Sequence, residues 1–138
     1  MTQEEKQLLL KDLCARLPYY TELYSNVADG NWTILTPVII SNLINSDKDL
    51  VIKPYLRPMS SMTEDEKKEL SERYVWKING SRIEIKYHSD GYWDDDIHCP
   101  TEEYLWLLDW LNVHHFDYRG LIPMGLAIEA PEDMYNKH

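Results

Sequence analysis

Residues 74–87 read YVWKINGSRIEIKY. Apolar and polar residues alternate on both sides of Asn79-Gly80, a dipeptide suited to a two-residue type I′ reversal, whose central residues both need positive φ. With 79–80 as the loop, Ile78 pairs with Ser81, Trp76 with Ile83, and Tyr74 with Ile85. Tyr74, Trp76, Ile78, Ile83 and Ile85 then share one face, while Lys77, Arg82, Glu84 and Lys86 share the other. Register and polarity agree, as a half-buried hairpin requires. The segment commits the chain to β structure, and the helical stretches around it make the class α+β.

Upstream, Thr2 and Glu5 have capping-box spacing ahead of Leu9, Leu10, Leu13, Cys14 and Leu17. That pattern predicts a helix over about residues 3–17, stopped by Pro18. Tyr19–Val27 and Trp32–Thr36 flank Asp29-Gly30 and read as a second hairpin. Val38–Ile44 is apolar without a decisive period. Leu50–Leu56 reads as a strand that Pro54 confines to an edge. Thr63 and Glu66 open a short, polar surface helix over about 63–72, its acids favoured by the dipole of the first turn.

Downstream, HSDGYWDDDIHCP (88–100) has neither helical nor strand period and reads as a loop. Thr101–Val113 reads as a helix that is apolar almost all round, with Trp106 and Trp110 four apart on one face for packing. RGLIPMGLAIEAP (119–131) reads as coil with one helical turn. The expected fold is therefore α+β: a small antiparallel sheet built from hairpins packed against two main helices, a single two-layer domain over residues 1–138.

A chain of 138 residues buries roughly two-thirds of its unfolded surface, enough for a core without covalent staples. Its two cysteines, Cys14 and Cys99, form neither a disulfide framework nor a C-x-x-C pair, so a reducing, cytoplasmic setting is expected. The N-terminus opens with acids rather than a basic secretory region. No apolar stretch approaches the ~20 residues of a membrane span.

The charge decides more. Asp and Glu number 24 against 14 Lys and Arg, a net of −10. Such a balance disfavours direct nucleic-acid binding, because phosphates attract basic faces. Between Tyr87 and Tyr118 there is no Lys or Arg, and Asp90, Asp94, Asp95, Asp96, Glu102, Glu103, Asp109 and Asp117 carry most of the net charge. The same stretch holds His88, His98, Cys99, His114 and His115.

Two chemistries follow from that stretch. His88, His98, Cys99 and His114 have the donor types zinc takes, although their spacing matches no established zinc loop and the aspartates lack EF-hand alternation. A metal-dependent hydrolase is the enzymatic version of that reading. No G-x-S-x-G, P-loop, G-x-G-x-x-G or H-E-x-x-H pattern supports it, and Cys99 beside His98 is a sequence neighbour rather than a facing base. The other chemistry is recognition. Ten Tyr and five Trp against one Phe favour half-wet contact surfaces, and Tyr92-Trp93 stands beside Asp94, Asp95 and Asp96. Arg119, the first base after the acidic stretch, pairs with Asp117 or another acid, or receives an anionic group. A small-molecule-sequestering pocket is a third possibility, with Arg57, Arg73, Arg82 and Arg119 as the bases a nucleotide would need.

Three segments carry a resemblance: LLLKDLCARLPY (8–19), KPYLRPMSSMTEDEKKE (53–69) and HHFDYRGLIPMGLAIEA (114–130). In order and content they resemble a family of small uncharacterised proteins encoded by Bacteroidales phages, prophages and mobile elements. The resemblance covers about a third of the chain, leaves out the DGYWDDDIHC stretch, and implies a setting rather than an activity. Together these readings predict a non-enzymatic accessory protein in a bacterial cytoplasm. Tyr92, Trp93, Asp94, Asp95, Asp96 and Arg119 would meet a protein partner with a basic surface, with no membrane and no cofactor. Zinc at His88, His98, Cys99 and His114 is the alternative.

Overall fold

The computed structural model describes residues 1–45, 49–86, 93–94 and 104–135. They form an α+β structure with four helices, a mixed four-stranded sheet and a hairpin-based sheet. Helix α1 (Gln3–Arg16) begins with the complete capping box between Thr2 and Glu5. Strands β1 (Glu22–Ser25) and β2 (Trp32–Ile34) pair antiparallel, as the second hairpin predicts. Their connection is longer than two residues, however, and its left-handed pair is Gly30 and Asn31 rather than Asp29 and Gly30. Asn tolerates that conformation nearly as well as Gly, which lets the reversal slide by one residue.

Helix α2 (Pro37–Ile44) resolves the ambiguous apolar run. Thr36 accepts the Ile39 N–H and Pro37 occupies the first turn, a start signal that outweighs the β-branched content. Strand β3 (Ile52–Leu56) is not at an edge. In the order β2-β1-β3-β7 it lies between β1, antiparallel, and β7 (Ile128–Glu129), parallel, so the sheet is mixed rather than purely antiparallel. β7 replaces the coil expected there. It begins opposite Tyr55, one residue past Pro54, so the missing proline N–H interrupts no paired position.

Helix α3 (Glu64–Ser71) carries the second capping box, Thr63 with Glu66. Strands β4 (Val75–Asn79) and β5 (Arg82–Lys86) form the decisive hairpin, but with Gly80-Ser81 as the loop. The register places Ile78 opposite Ile83 and Trp76 opposite Ile85. The slip from the expected pairing is two residues, so every side chain keeps its face, and Gly80 alone in the loop takes positive φ. β6 (Trp93–Asp94) pairs with Lys86 and Ile85, placing a short strand in the segment expected to be a loop. Helix α4 (Leu105–Val113) follows. Residues 101–103, where the sequence places its start, lie outside the described residues.

Two apolar clusters result. One gathers Leu70, Ile83, Ile85, Leu107, Trp110 and Phe116 between the hairpin, α3 and α4. The other gathers Leu9, Leu13, Leu23, Leu43, Leu56 and Leu121 between α1, α2 and the mixed sheet. Residues 114–121 run between them. Among the described residues no helix is long and apolar enough to cross a membrane.

Candidate functional site

The buried face of α1 is Leu9, Asp12, Leu13 and Arg16, while Cys14 is exposed. Leu10 and Leu17 pack partly buried against the same cluster as expected, but Asp12 and Arg16 join the inward face and Cys14 does not. Arg16 is fully buried. Its Nε donates to Asp12 Oδ2 (2.8 Å), and its Nη2 donates to Asp12 Oδ1 (3.1 Å) and to the Phe116 carbonyl (2.7 Å). Arg119 Nη1 donates to the same Asp12 Oδ1 (2.8 Å) and to the Tyr118 hydroxyl (3.1 Å). Tyr118 in turn donates to Asn112 Oδ1 (2.9 Å) on α4, and both guanidiniums lie over its ring. Burial works against the Arg16 cation, but the Asp12 carboxylate more than offsets it and raises its pKa. One carboxylate therefore holds two buried cations.

The turn after α4 is fixed by the same network. Asp117 accepts the Leu121 and Ile122 N–H groups (both 2.9 Å), and burial pushes its pKa up. His115 sits at φ +63° with its ring stacked on Tyr135, centroids 3.7 Å apart. Burial, then the charges of Arg16, His114 and Arg57, lower its pKa to about 4, so it is neutral in the folded protein near pH 7. Tyr135 closes the arrangement by accepting the Glu22 N–H (2.9 Å) and donating to the Tyr55 carbonyl (2.8 Å).

A second cluster faces outward. Arg57 holds Glu66 through two bonds of 2.7 Å, and Glu66 Oε1 also accepts the Thr63 N–H (2.8 Å). Burial alone would raise the Glu66 pKa, but the Arg57 and Thr63 hydrogen bonds outweigh it and lower it. His114 turns Nε2 toward Glu66 (3.9 Å) and donates Nδ1–H to the Trp110 carbonyl (2.8 Å). Ser61 Oγ, nearby, accepts from Arg57 Nε and donates to the Pro58 carbonyl, which ties it into its own turn rather than presenting it as a nucleophile. Aromatic rings continue the cluster: Arg73 over Trp106, Trp106 on Trp110, Trp110 on Phe116, and Arg57 over Phe116. Trp106 and Trp110 do pack together, at 6.2 Å between centroids.

The residues proposed from sequence separate into two groups. Arg119 has a side chain only 6% exposed and pairs with Asp12, not with Asp117 or an acid of the 87–118 stretch, so it is an interior tie. Trp93 and Asp94 lie on β6, at the outer edge of the three-stranded sheet β4-β5-β6. Tyr92, Asp95 and Asp96 lie outside the described residues, as do His88, His98 and Cys99 of the zinc set. Among the described residues no three His, Cys, Asp or Glu side chains gather to hold a metal. Of the four arginines a nucleotide would need, three lie on separate partners: Arg57 on Glu66, Arg73 over Trp106, and Arg119 on Asp12.

Sequence reasoning missed Asp12 and Arg16. Their i,i+4 spacing was visible, but an acid–base pair at that spacing on a helix usually faces water. Segments 8–19, 53–69 and 114–130 meet at this junction: Arg16 bonds Phe116, Arg57 pairs with Phe116 in a parallel bridge, and Asp12 bonds Arg119. Compared with known proteins, the chain matches no family model, no curated protein and no solved structure.

Proposed function

We propose that this chain is a small accessory protein of a Bacteroidales phage or mobile element, acting by binding a host or defence component rather than by catalysis. Its contact segment is the acidic, aromatic stretch Tyr92–Asp96, and its partner presents a basic surface. The observation that carries this reading is the way the fold sorts its charge. Arg16 and Arg119 are turned inward onto Asp12 and Arg57 is held on Glu66, while Trp93 and Asp94 sit on an edge strand. Two cations are thus held inside the fold, and the acidic run of the sequence starts on an edge strand. Dense like charge at a rim steers a basic partner and makes association salt-dependent.

The test is quantitative capture from Bacteroidales lysate on immobilised protein, comparing the native chain with the triple variant D94N/D95N/D96N at low and high salt. A basic protein retained by the native chain at low salt, and associating about tenfold more slowly with the variant, is the expected result. Equal retention by both proteins removes the reading.

A further inference from the structure

The ladder between β3 and β7 stops at Tyr55 and Ile128, and Pro54 supplies the reason. On the β1 side, Val51 is a bonded position: its carbonyl accepts the Asn26 N–H (3.1 Å) and its N–H donates to Asn26 Oδ1 (2.9 Å). By antiparallel alternation Ile52, Pro54 and Leu56 turn their backbone groups the other way, toward β7. Leu56 is satisfied there, accepting the Ala130 N–H (2.8 Å). Pro54 has no N–H to offer, so the parallel pairing does not continue toward Ile52. Residues 124–126 stand off from β3, and a cleft of about 530 Å³ opens between them, the start of β3 and the first turns of α1.

Leu50, Val51 and Met124 give this cleft its accessible apolar surface above the buried Leu9, Ile52 and Leu126, and Lys6 and Lys53 also line it. Among the described residues neither lysine has an acid within ion-pair distance. Glu5, the acid that lines the cleft, has Oε1 held by the Thr2 N–H (2.8 Å). In a chain of net charge −10, two unpaired cations on an aliphatic cleft reverse the prevailing surface chemistry. The volume falls in the ~300–1,000 Å³ range of small-ligand sites. Among the described residues no aromatic ring lines the cleft to stack a base.

We infer that this cleft binds a small amphipathic carboxylate. The aliphatic body lies against Leu50, Val51 and Met124, and the carboxylate sits with Lys6 and Lys53. The Ile52 N–H, turned to the same side, is a further donor. The site belongs to the mixed sheet and stands independently of the acidic segment on the hairpin sheet.

The test is isothermal titration of the full chain with straight-chain carboxylates from hexanoate to decanoate, with octanol and octylamine as matched probes. One-to-one binding is expected, tightening about fourfold per added methylene, the fold-change equivalent of ~0.8 kcal/mol per buried CH₂. Octanol and octylamine should bind at least about tenfold more weakly than octanoate. K6Q/K53Q should bring octanoate and octanol together while keeping the native melting temperature. In the native chain, octanoate should shift the methyl resonances of Val51 and Met124, a readout that needs no substitution. Absence of saturable binding at millimolar octanoate, equal binding of octylamine, or shifts confined to other residues would overturn the assignment.

Discussion

Asp12→Asn should be among the most damaging single-atom changes available to this protein. Asp12 is fully buried and its carboxylate accepts three hydrogen bonds, at 2.8, 3.1 and 2.8 Å, from two guanidiniums. Asn keeps the shape but loses the charge and one acceptor, so an NH₂ group must face an arginine N–H. Neither arginine can discard its proton to escape. Asp117, whose charge also acts on Arg16, already has both oxygens on the Leu121 and Ile122 N–H groups. Removing one partner of a buried pair costs about 3–5 kcal/mol, and two cations on one acid place this case at the upper end. Against a total stability of ~5–15 kcal/mol, that loss is a large fraction.

Urea denaturation followed by circular dichroism should show the midpoint falling with an unchanged slope, since the surface exposed on unfolding is the same. The melting temperature should fall by roughly 10–20 °C for a domain of this size. A second variant separates charge from shape. D12N/R16M/R119M removes the three charges of the Asp12 cluster together, and by the same reasoning it should recover to within about 2 kcal/mol of the native chain. A D12N cost below about 1.5 kcal/mol, or a triple variant less stable than D12N itself, would refute the claim that uncompensated charge sets the energetics of this junction.

Other perturbations probe neighbouring parts. His115 has a folded pKa near 4, below its ordinary value of 6.5, so its contribution is intact above pH 6.5 and is lost as pH falls toward 4. Stability should drop by about 1.4 kcal/mol per pH unit inside that window. H115N, which tolerates the positive φ, should flatten the curve, whereas parallel curves for the two proteins would exonerate His115. Gly120 has φ +75°, and a Cβ there would lie 3.0 Å from Ser81 Oγ. G120A should cost at least ~1–2 kcal/mol from the left-handed backbone alone, read by thermal melting. Glu66→Gln should cost about 2 kcal/mol, because it weakens both the Arg57 fork and the cap of α3. Faster amide exchange at residues 64–66 would locate the loss at the helix start, and unchanged exchange would argue against the capping role.

What the sequence determined by itself was local. Thr2 with Glu5 and Thr63 with Glu66 declare two helix starts, because a capping box is complete within four residues. The hairpin faces were legible although its loop fell at Gly80-Ser81, because a two-residue slip leaves period-two alternation unchanged. Only the tertiary structure decided the rest. Pro54 lies inside the mixed sheet because the two-residue β7 returns from 73 positions later and pairs beyond it. A run so short has no periodic signature to read in advance. Asp12 and Arg16 form a spacing that ordinarily marks a wet helix face. Whether that face is wet or dry depends on the distant Phe116 carbonyl and on Arg119, which reach it only when the chain has folded. The lysine-lined cleft is decided in the same way, as a gap left where a proline ends one strand pairing and two distant segments cannot close over it.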